Sequence, residues 1–246
     1  MVDFHTHILP GIDDGCRDAT ESVQMLECLK EQGVNKVVLS PHFYAFSSRA
    51  ESFVENREEA LQKLLEKLKE KSLNIELYLG CEALYFNELW RMENLKDLSV
   101  KGTEFIMVEM PMNEWTDDVI VGMEKLTSKG LTPIIVHFER FIKFKKNLKK
   151  LSFLIAMGAQ LQMNSSYIMN PFTRGKAISF FKKGMVSAIG SDCHDLQMRP
   201  PNCKDAYDIL QKKLTKEQYN RFKNRQNALL KYAEEVYPLK TNNAGR

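Results

Sequence analysis

Short apolar runs alternate along the chain with longer segments of helical period. Val2–His5, Lys36–Ser40, Ile75–Leu79, Phe105–Glu109, Pro133–His137, Ala159–Met163 and Val186–Ile189 have the length and composition of strands. Val37-Val38-Leu39 and Ile134-Ile135-Val136 are unbroken apolar triplets, as in parallel strands covered on both faces. The intervening stretches Thr20–Gln32, Glu51–Lys71, Asp117–Lys129, Leu148–Met157 and Thr173–Lys183 read as helices. Gly33, Gly130, Gly158 and Gly184 stand where four of them end, shortly before a strand. Two more helices, about Asn202–Lys213 and Lys216–Val236, precede a polar tail, Pro238–Arg246, that is expected to fray. Seven β-α units with no repeat and no linker predict one α/β domain over residues 1–246. A closed or nearly closed TIM-like (β/α)7 barrel fits this order better than an open sheet.

The composition narrows the function classes. With 43% hydrophobic and 27% charged residues, the chain has the balance of a soluble globular domain, and 246 residues can bury a full core. A net charge of +3 is too small for a whole-surface nucleic-acid binder. The first residues place charge and histidine where a signal peptide needs apolar residues, and no apolar run is long enough to cross a bilayer. The five cysteines are odd in number and lack C-x-x-C spacing, which predicts reduced thiols in a cytoplasmic protein.

The chemistry collects at one edge of the predicted barrel. All five histidines, His5, His7, His42, His137 and His194, fall at or just after the C-terminal end of a strand. Asp13, Asp14, Glu82, Glu109 and Asp192 do the same, and those ends converge on the mouth where barrel enzymes hold their active sites. Residues two apart on a strand share a side, so His5 with His7, and Asp192 with His194, can each chelate one ion. Imidazole and carboxylate together suit manganese, zinc or iron. The surplus of ligands predicts two or three divalent ions, with Glu82 and Glu109 as bridges. Arg140 and Arg199 stand beside ligands, as a clamp for a phosphate would. A metal cluster that activates water and neutralises phosphoryl oxygens would use both.

One stretch, SDCHDLQMR, also offers a rival chemistry. Cys193 and Arg199 have the C-x5-R spacing of phosphatases that attack with a thiolate. That mechanism needs a glycine-rich loop whose N–H groups cradle phosphate and lower the thiol pKa. The five residues between them contain no glycine and add an acid, so Cys193 is expected to be a spacer that packs away from the metals.

FHTHILPGIDDG, the PH at His42, GCE at Glu82, VEM at Glu109, HFER and SDCH-x4-RPP occur in this order from residue 3 to about residue 201. Together they resemble the PHP (polymerase and histidinol phosphatase) superfamily. Within it they resemble the bacterial CpsB-type tyrosine-protein phosphatases of capsule and exopolysaccharide regulation. The resemblance implies a distorted seven-stranded barrel and a cluster of up to three metals, manganese first, with iron or zinc as alternatives. It implies hydrolysis of phosphotyrosine by a metal-activated hydroxide, on a partner protein such as the tail of a bacterial tyrosine kinase. Carried over residue by residue, the metal positions are His5, His7, Asp14, His42, Glu82, Glu109, His137, Asp192 and His194, and the arginines are Arg140 and Arg199. Phe138 departs from the pattern, because relatives often have proline there, and it changes the loop that carries Arg140.

Several readings stay open at this level. Asp13 and Asp14 compete for one ligand role. Asn164 is either a partner of the cluster or a helix cap. The aromatics Phe43, Tyr44, Phe46 and Phe53 are either a wall for a substrate ring or packing, and the basic run KFKKNLKK is either a solvated helix face or an attractant for an acidic tail. Rival functions are a small-molecule phosphomonoesterase such as one acting on histidinol phosphate, an amidohydrolase, and a non-catalytic metal-binding regulator of a kinase.

Overall fold

A computed structural model describes residues 1–71 and 73–237. Parallel strands β1 (Val2–Thr6), β2 (Lys36–Leu39) and β4 (Glu76–Leu79) form one wall. The other wall has the order β3-β5-β6-β7-β8-β9, made by β3 (His42–Phe43), β5 (Glu82–Leu84), β6 (Phe105–Glu109), β7 (Thr132–Ile135), β8 (Gln160–Asn164) and β9 (Ala188–Gly190). The walls meet where β1 passes the segment after β9. There the His7 N–H donates to Cys193 O at 2.9 Å and the Asp192 N–H to His5 O at 2.9 Å. The result is a distorted, TIM-like α/β barrel.

The helices are α1 (Ala19–Glu31), α2 (Ala50–Leu68), α3 (Asp117–Ser128), α4 (Lys145–Ala156), α5 (Ser165–Met169), α6 (Pro171–Lys182), α7 (Cys203–Lys213) and α8 (Lys216–Leu229). Strand alternation splits the core in two. Val38, Tyr78, Met107 and Ile134 point into one buried cluster with Phe4 and Val136, inside the barrel. Their neighbours Val37, Leu39, Leu77, Leu79, Ile106, Val108 and Ile135 join the helix side chains in a second, outer cluster. This is why the strands read as continuous apolar runs: both faces are covered.

Three features depart from the sequence reading. The predicted second and third strands, Lys36–Ser40 and Ile75–Leu79, form as β2 and β4, but each is followed, after a break at Ser40-Pro41 or Gly80-Cys81, by a short strand that was not predicted, β3 or β5. The breaks shift pairing from one wall to the other and turn His42 and Glu82 into the mouth. The last predicted helix ends at Leu229 rather than Val236, and Glu235–Tyr237 instead forms β10, antiparallel to β4. β4 thus has β2 on one side and β10 on the other, and β6 pairs with β5 and β7 in the second wall. The predicted tail Pro238–Arg246 lies outside the described residues. The four glycines expected at helix ends all have positive φ, between 69° and 101°.

Candidate metal centre

The mouth is built by register. Thr6 bridges Cys193, so the two spacers lie side by side and His5, His7, Asp192 and His194 flank them. His42 pairs with Glu82 across β3 and β5, and Glu109 lies opposite Leu84 at the end of β6. His137 follows β7 with φ 31°, and Asp192 follows β9 with φ 57°. A left-handed backbone is uncommon outside glycine, although Asp and His adopt it more readily than most residues, and such positions concentrate at functional sites. Two glycines let the histidines sit where they do. A Cβ on Gly15 would come within 2.1 Å of His7 O, and one on Gly190 within 2.4 Å of the His5 Cβ.

All nine predicted ligand positions converge. Glu82 is at the centre: its Oε2 lies 3.0 Å from His5 Nε2, 3.3 Å from His7 Nε2 and 3.1 Å from His42 Nδ1, and its Oε1 lies 2.6 Å from His137 Nε2. Asp192 Oδ1 is 3.5 Å from His7 Nε2 and 3.7 Å from His5 Nε2. Asp14, the most exposed member, has its Oδ1 3.5 Å from His42 Nε2 and 3.4 Å from His194 Nε2. The donors fall into overlapping sets close enough to share ions: His7, Asp14, His42 and His194; His5, Glu82 and His137; His5, His7 and Asp192; His42, Glu82 and Glu109.

The donor set fits divalent cations. Among the described residues, the buried imidazole nitrogens His42 Nδ1, His137 Nδ1 and His194 Nε2 make no well-aligned hydrogen bond, even where a carboxylate oxygen is near, a loss of about 1–3 kcal/mol each if left so. His194 Nδ1 is held at 3.0 Å by Asp192 O, which leaves Nε2 as the free lone pair facing Asp14. His5 and His7 meet Nε2 to Nε2 at 3.1 Å around one carboxylate oxygen, a crowding of acceptors that a cation relieves.

The charges are correspondingly skewed. Burial resists ionisation of Glu82, but His5, His137 and His7 outweigh it and hold the carboxyl well below its usual range. Burial, reinforced by the nearby Glu82 carboxylate, lifts Glu109 to about 7. Burial also opposes charge on both rings, yet Glu82 and Asp192 lift His5, and Asp13, Asp192 and Glu82 lift His7, above the ordinary histidine value. At His194, burial and then the positive His7 and Arg199 lower the ring to about 4.

A model of the family described as "Capsular polysaccharide synthesis, CpsB/CapC" matches residues 1–230. The chain belongs to the CpsB/CapC family. It is similar to the tyrosine-protein phosphatase CpsB of Streptococcus pneumoniae, 29% identical over 87% of this chain and 90% of that protein. The tyrosine-protein phosphatase YwqE of Bacillus subtilis is 27% identical over 88% and 86% of the two chains. A crystal structure described as one of YwqE and CpsB, "unique metal-dependent tyrosine phosphatases", superposes with a TM-score of 0.83. It is 24% identical and covers 95% of this chain and 96% of its own, which establishes a shared fold.

Within this CpsB/CapC chain, the open alternatives resolve by geometry. Asp13 is fully engaged behind the cluster. Its Oδ2 accepts from the His7 ring at 2.7 Å and the His42 N–H at 2.9 Å, and its Oδ1 from the Gly15 N–H at 2.9 Å. Burial opposes that charge, but these donors prevail and lower Asp13 to about 2. Asp14 is the acid that lies with His7, His42 and His194 in one candidate donor set. Asn164 Nδ2 donates to Asp192 Oδ2 at 2.8 Å, so it serves the cluster. Phe138 is buried and packs edge-on against Phe180, and the loop it anchors still brings Arg140 to Asp192, 2.5 Å from Nη2 to Oδ2. Arg199 Nη2 reaches the other oxygen of Asp192 at 2.7 Å. In the basic run, Lys146 pairs with Glu114 and Lys150 with Asp117, on the outer surface around α3.

Cys193 is fully buried in the outer core, and burial, with Asp3 nearby, pushes its thiol well above the usual value. Sequence reasoning missed Gln162, whose Oε1 accepts from the His137 N–H at 2.7 Å and lies 3.3 Å from His5 Nδ1. It also missed Asp3, whose Oδ1 accepts the Ser191 N–H at 2.8 Å and pins β1 to the SDCH segment. The available signals were a polar residue at an inward position of an apolar strand for Gln162 and a charge within the apolar run Val2–Phe4 for Asp3.

Proposed function

We propose that this chain is a metal-dependent protein-tyrosine phosphatase acting as one cytoplasmic domain on a phosphotyrosine-bearing partner, a bacterial tyrosine kinase of polysaccharide synthesis. The observation that carries the reading is the convergence of nine histidine and carboxylate side chains, with two arginines at their rim, in a CpsB/CapC chain whose curated relatives are named tyrosine-protein phosphatases. The ligands are His5, His7, Asp14, His42, Glu82, Glu109, His137, Asp192 and His194, for two or three divalent ions, manganese first. Bound there, such ions lower the pKa of water and neutralise charge on phosphoryl oxygens.

The protein's own groups supply the rest. Asp13, Gln162 and Asp192 O each hold one ring nitrogen of His7, His5 and His194, which leaves the opposite nitrogen toward the cluster. Arg140 and Arg199 lie half-exposed at the mouth, each with N–H donors beyond those given to Asp192, and a dianionic phosphate draws on these forks. A phenolate leaving group, with a free pKa of about 10, needs little proton donation, so no general acid is required of the chain.

The test is release of phosphate from a phosphotyrosyl peptide by metal-stripped protein before and after manganese, with histidinol phosphate in parallel. Manganese-restored turnover of the peptide is the expected result. Turnover of histidinol phosphate alone assigns a small-molecule phosphomonoesterase, and no turnover of either defeats the reading.

A further inference from the structure

Charge is spread unevenly along this chain. Residues 140–191 hold ten lysines and arginines and no aspartate or glutamate, which leaves 25 basic against 32 acidic residues elsewhere. Within this segment α4 crosses from β7 to β8, and α5 and α6 cross from β8 to β9, three strands that are neighbours in one wall. Parallel crossovers of one hand set α4 and α6 side by side on the outside of the barrel. Arg140 turns to the mouth, Arg174 turns inward to Ile168 O, and Lys146 and Lys150 pair with Glu114 and Asp117. The other six, Lys143, Lys145, Lys149, Lys176, Lys182 and Lys183, are exposed and form no ion pair among the described residues.

Two phenyl rings stand among these lysines. Lys145, Lys149 and Phe153 follow one another at every fourth position of α4, and Phe172, Lys176 and Lys183 share one side of α6. Phe153 is 61% exposed and Phe172 97%. The turn that carries Phe172 is fastened: its N–H donates to Asn170 Oδ1 at 2.9 Å, and Thr173 Oγ1 donates to Tyr167 O at 2.6 Å. The ring is thus held in water by bonded backbone. Helix α4 also opens on Lys145 and Lys146 with no acid in its first turn, where the helix dipole disfavours cations. A local cost that the fold does not require is typical of a surface kept for contact.

We propose that the α4–α6 face adsorbs to an anionic lipid bilayer, with the six lysines against the headgroups and Phe153 and Phe172 seated between them. The inference goes beyond the phosphatase reading and does not depend on it. No helix among the described residues is long and apolar enough to cross a membrane, so the contact is peripheral. Basic heads beside apolar rings on one face are the composition of interfacial helices. An acidic peptide would satisfy the lysines, but a ring as bare as Phe172 has no pocket beside it for a peptide side chain to share. A bilayer supplies the apolar phase itself. Each lysine close to an anionic surface raises partitioning about fivefold. The face lies along the flank of the barrel, so adsorption leaves the mouth open.

The experiment is flotation of the full chain with vesicles of phosphatidylcholine alone or mixed equally with phosphatidylglycerol. Binding to the mixed vesicles only, weakened by raised salt, is expected. Lys145→Glu with Lys149→Glu, which suits the start of α4, is expected to lower partitioning about 25-fold or more. Lys63→Glu with Lys96→Glu, an equal charge change at exposed positions elsewhere, is expected to lower it less than threefold. Phe172→Ser is expected to lower it about tenfold, and the emission of Phe172→Trp to shift to the blue on mixed vesicles. No binding, or equal losses in the two charge-reversed variants, overturns the proposal. So does binding that Phe172→Ser leaves unchanged and soluble polyglutamate displaces, which assigns the face to an acidic protein segment.

Discussion

At Cys193 two chemistries compete for one short segment, and the side chain's direction separates them. A nucleophilic thiolate needs access and a lowered pKa. Cys193 has neither: it is fully buried beside Asp3, with its thiol pushed up. Cys193→Ala is therefore expected to keep kcat/KM on a phosphotyrosyl peptide within about threefold, at a stability cost of about 1 kcal/mol. A hundredfold loss of activity in a folded variant would return the thiolate mechanism. Arg140 and Arg199 are the opposite case, charged groups at the rim with donors to spare. Replacing either by Ala is expected to lower kcat by about 10²–10³-fold with metal content intact, the scale of losing one stabilising donor at a developing charge. Unchanged kcat with raised KM would assign them to docking instead. Both readings were legible in the residues, because period-two spacing fixes which of SDCH points inward. Asp13 against Asp14 was not legible, since adjacent acids on a loop carry no period, and only the bonds of Asp13 to His7, His42 and Gly15 separate them.

Among the elements, the seven predicted strands were legible and β3, β5 and β10 were not, for a physical reason. β9, only three residues long, lies on the predicted run Val186–Ile189, whereas β3 and β5, of two and three residues, hold no periodicity to detect. Their positions come from Pro41 and from the Gly80-Cys81 break, which redirect strands already formed. β10 is a tertiary effect. Its residues follow a helix and carry helix-favouring glutamates, yet the Glu234 N–H donates to Lys101 O and Glu235 pairs with Tyr78 on the β4 edge. The loop between β1 and α1 shows how an element fixes a side chain. The Cys16 N–H donates to His7 O at 3.0 Å, and Gly15 lies against His7 with no room for a Cβ. Gly15→Ala should push this loop outward, taking Asp13 from the His7 ring and Asp14 from His42. Metal affinity, followed by competition with a chelator, is expected to fall about 10–100-fold, the usual loss when the partner of a ligating histidine is removed. An affinity within twofold of the parent would show that the loop adapts and that the DDG glycine is not a spacing requirement.

Over the whole molecule, the cluster draws candidate ligands from both walls: His5 and His7 from β1, His42 and Glu82 from β3 and β5, Glu109 from β6, and His137, Asp192 and His194 from the ends of β7 and β9. Cations at this mouth therefore join elements that the chain supplies almost 190 residues apart, while the inner cluster of Phe4, Val38, Met107 and Ile134 closes the barrel beneath without them. Binding to the folded chain alone stabilises it by about 2.7 kcal/mol per site at free metal a hundredfold above Kd. For a domain of this size about 1 kcal/mol moves Tm by about 2–4 °C. Two sites then predict a fall of about 10–20 °C in Tm when the ions are stripped, reversed by manganese. Because the inner core is independent of the mouth, far-UV circular dichroism at 25 °C should change little. His5→Ala, which vacates a position shared by two of the overlapping donor sets, should abolish most of the metal-dependent shift while leaving a folded barrel. A Tm that ignores both chelation and manganese would show that the buried imidazoles and carboxylates are satisfied without cations, and the metal centre would fall with it.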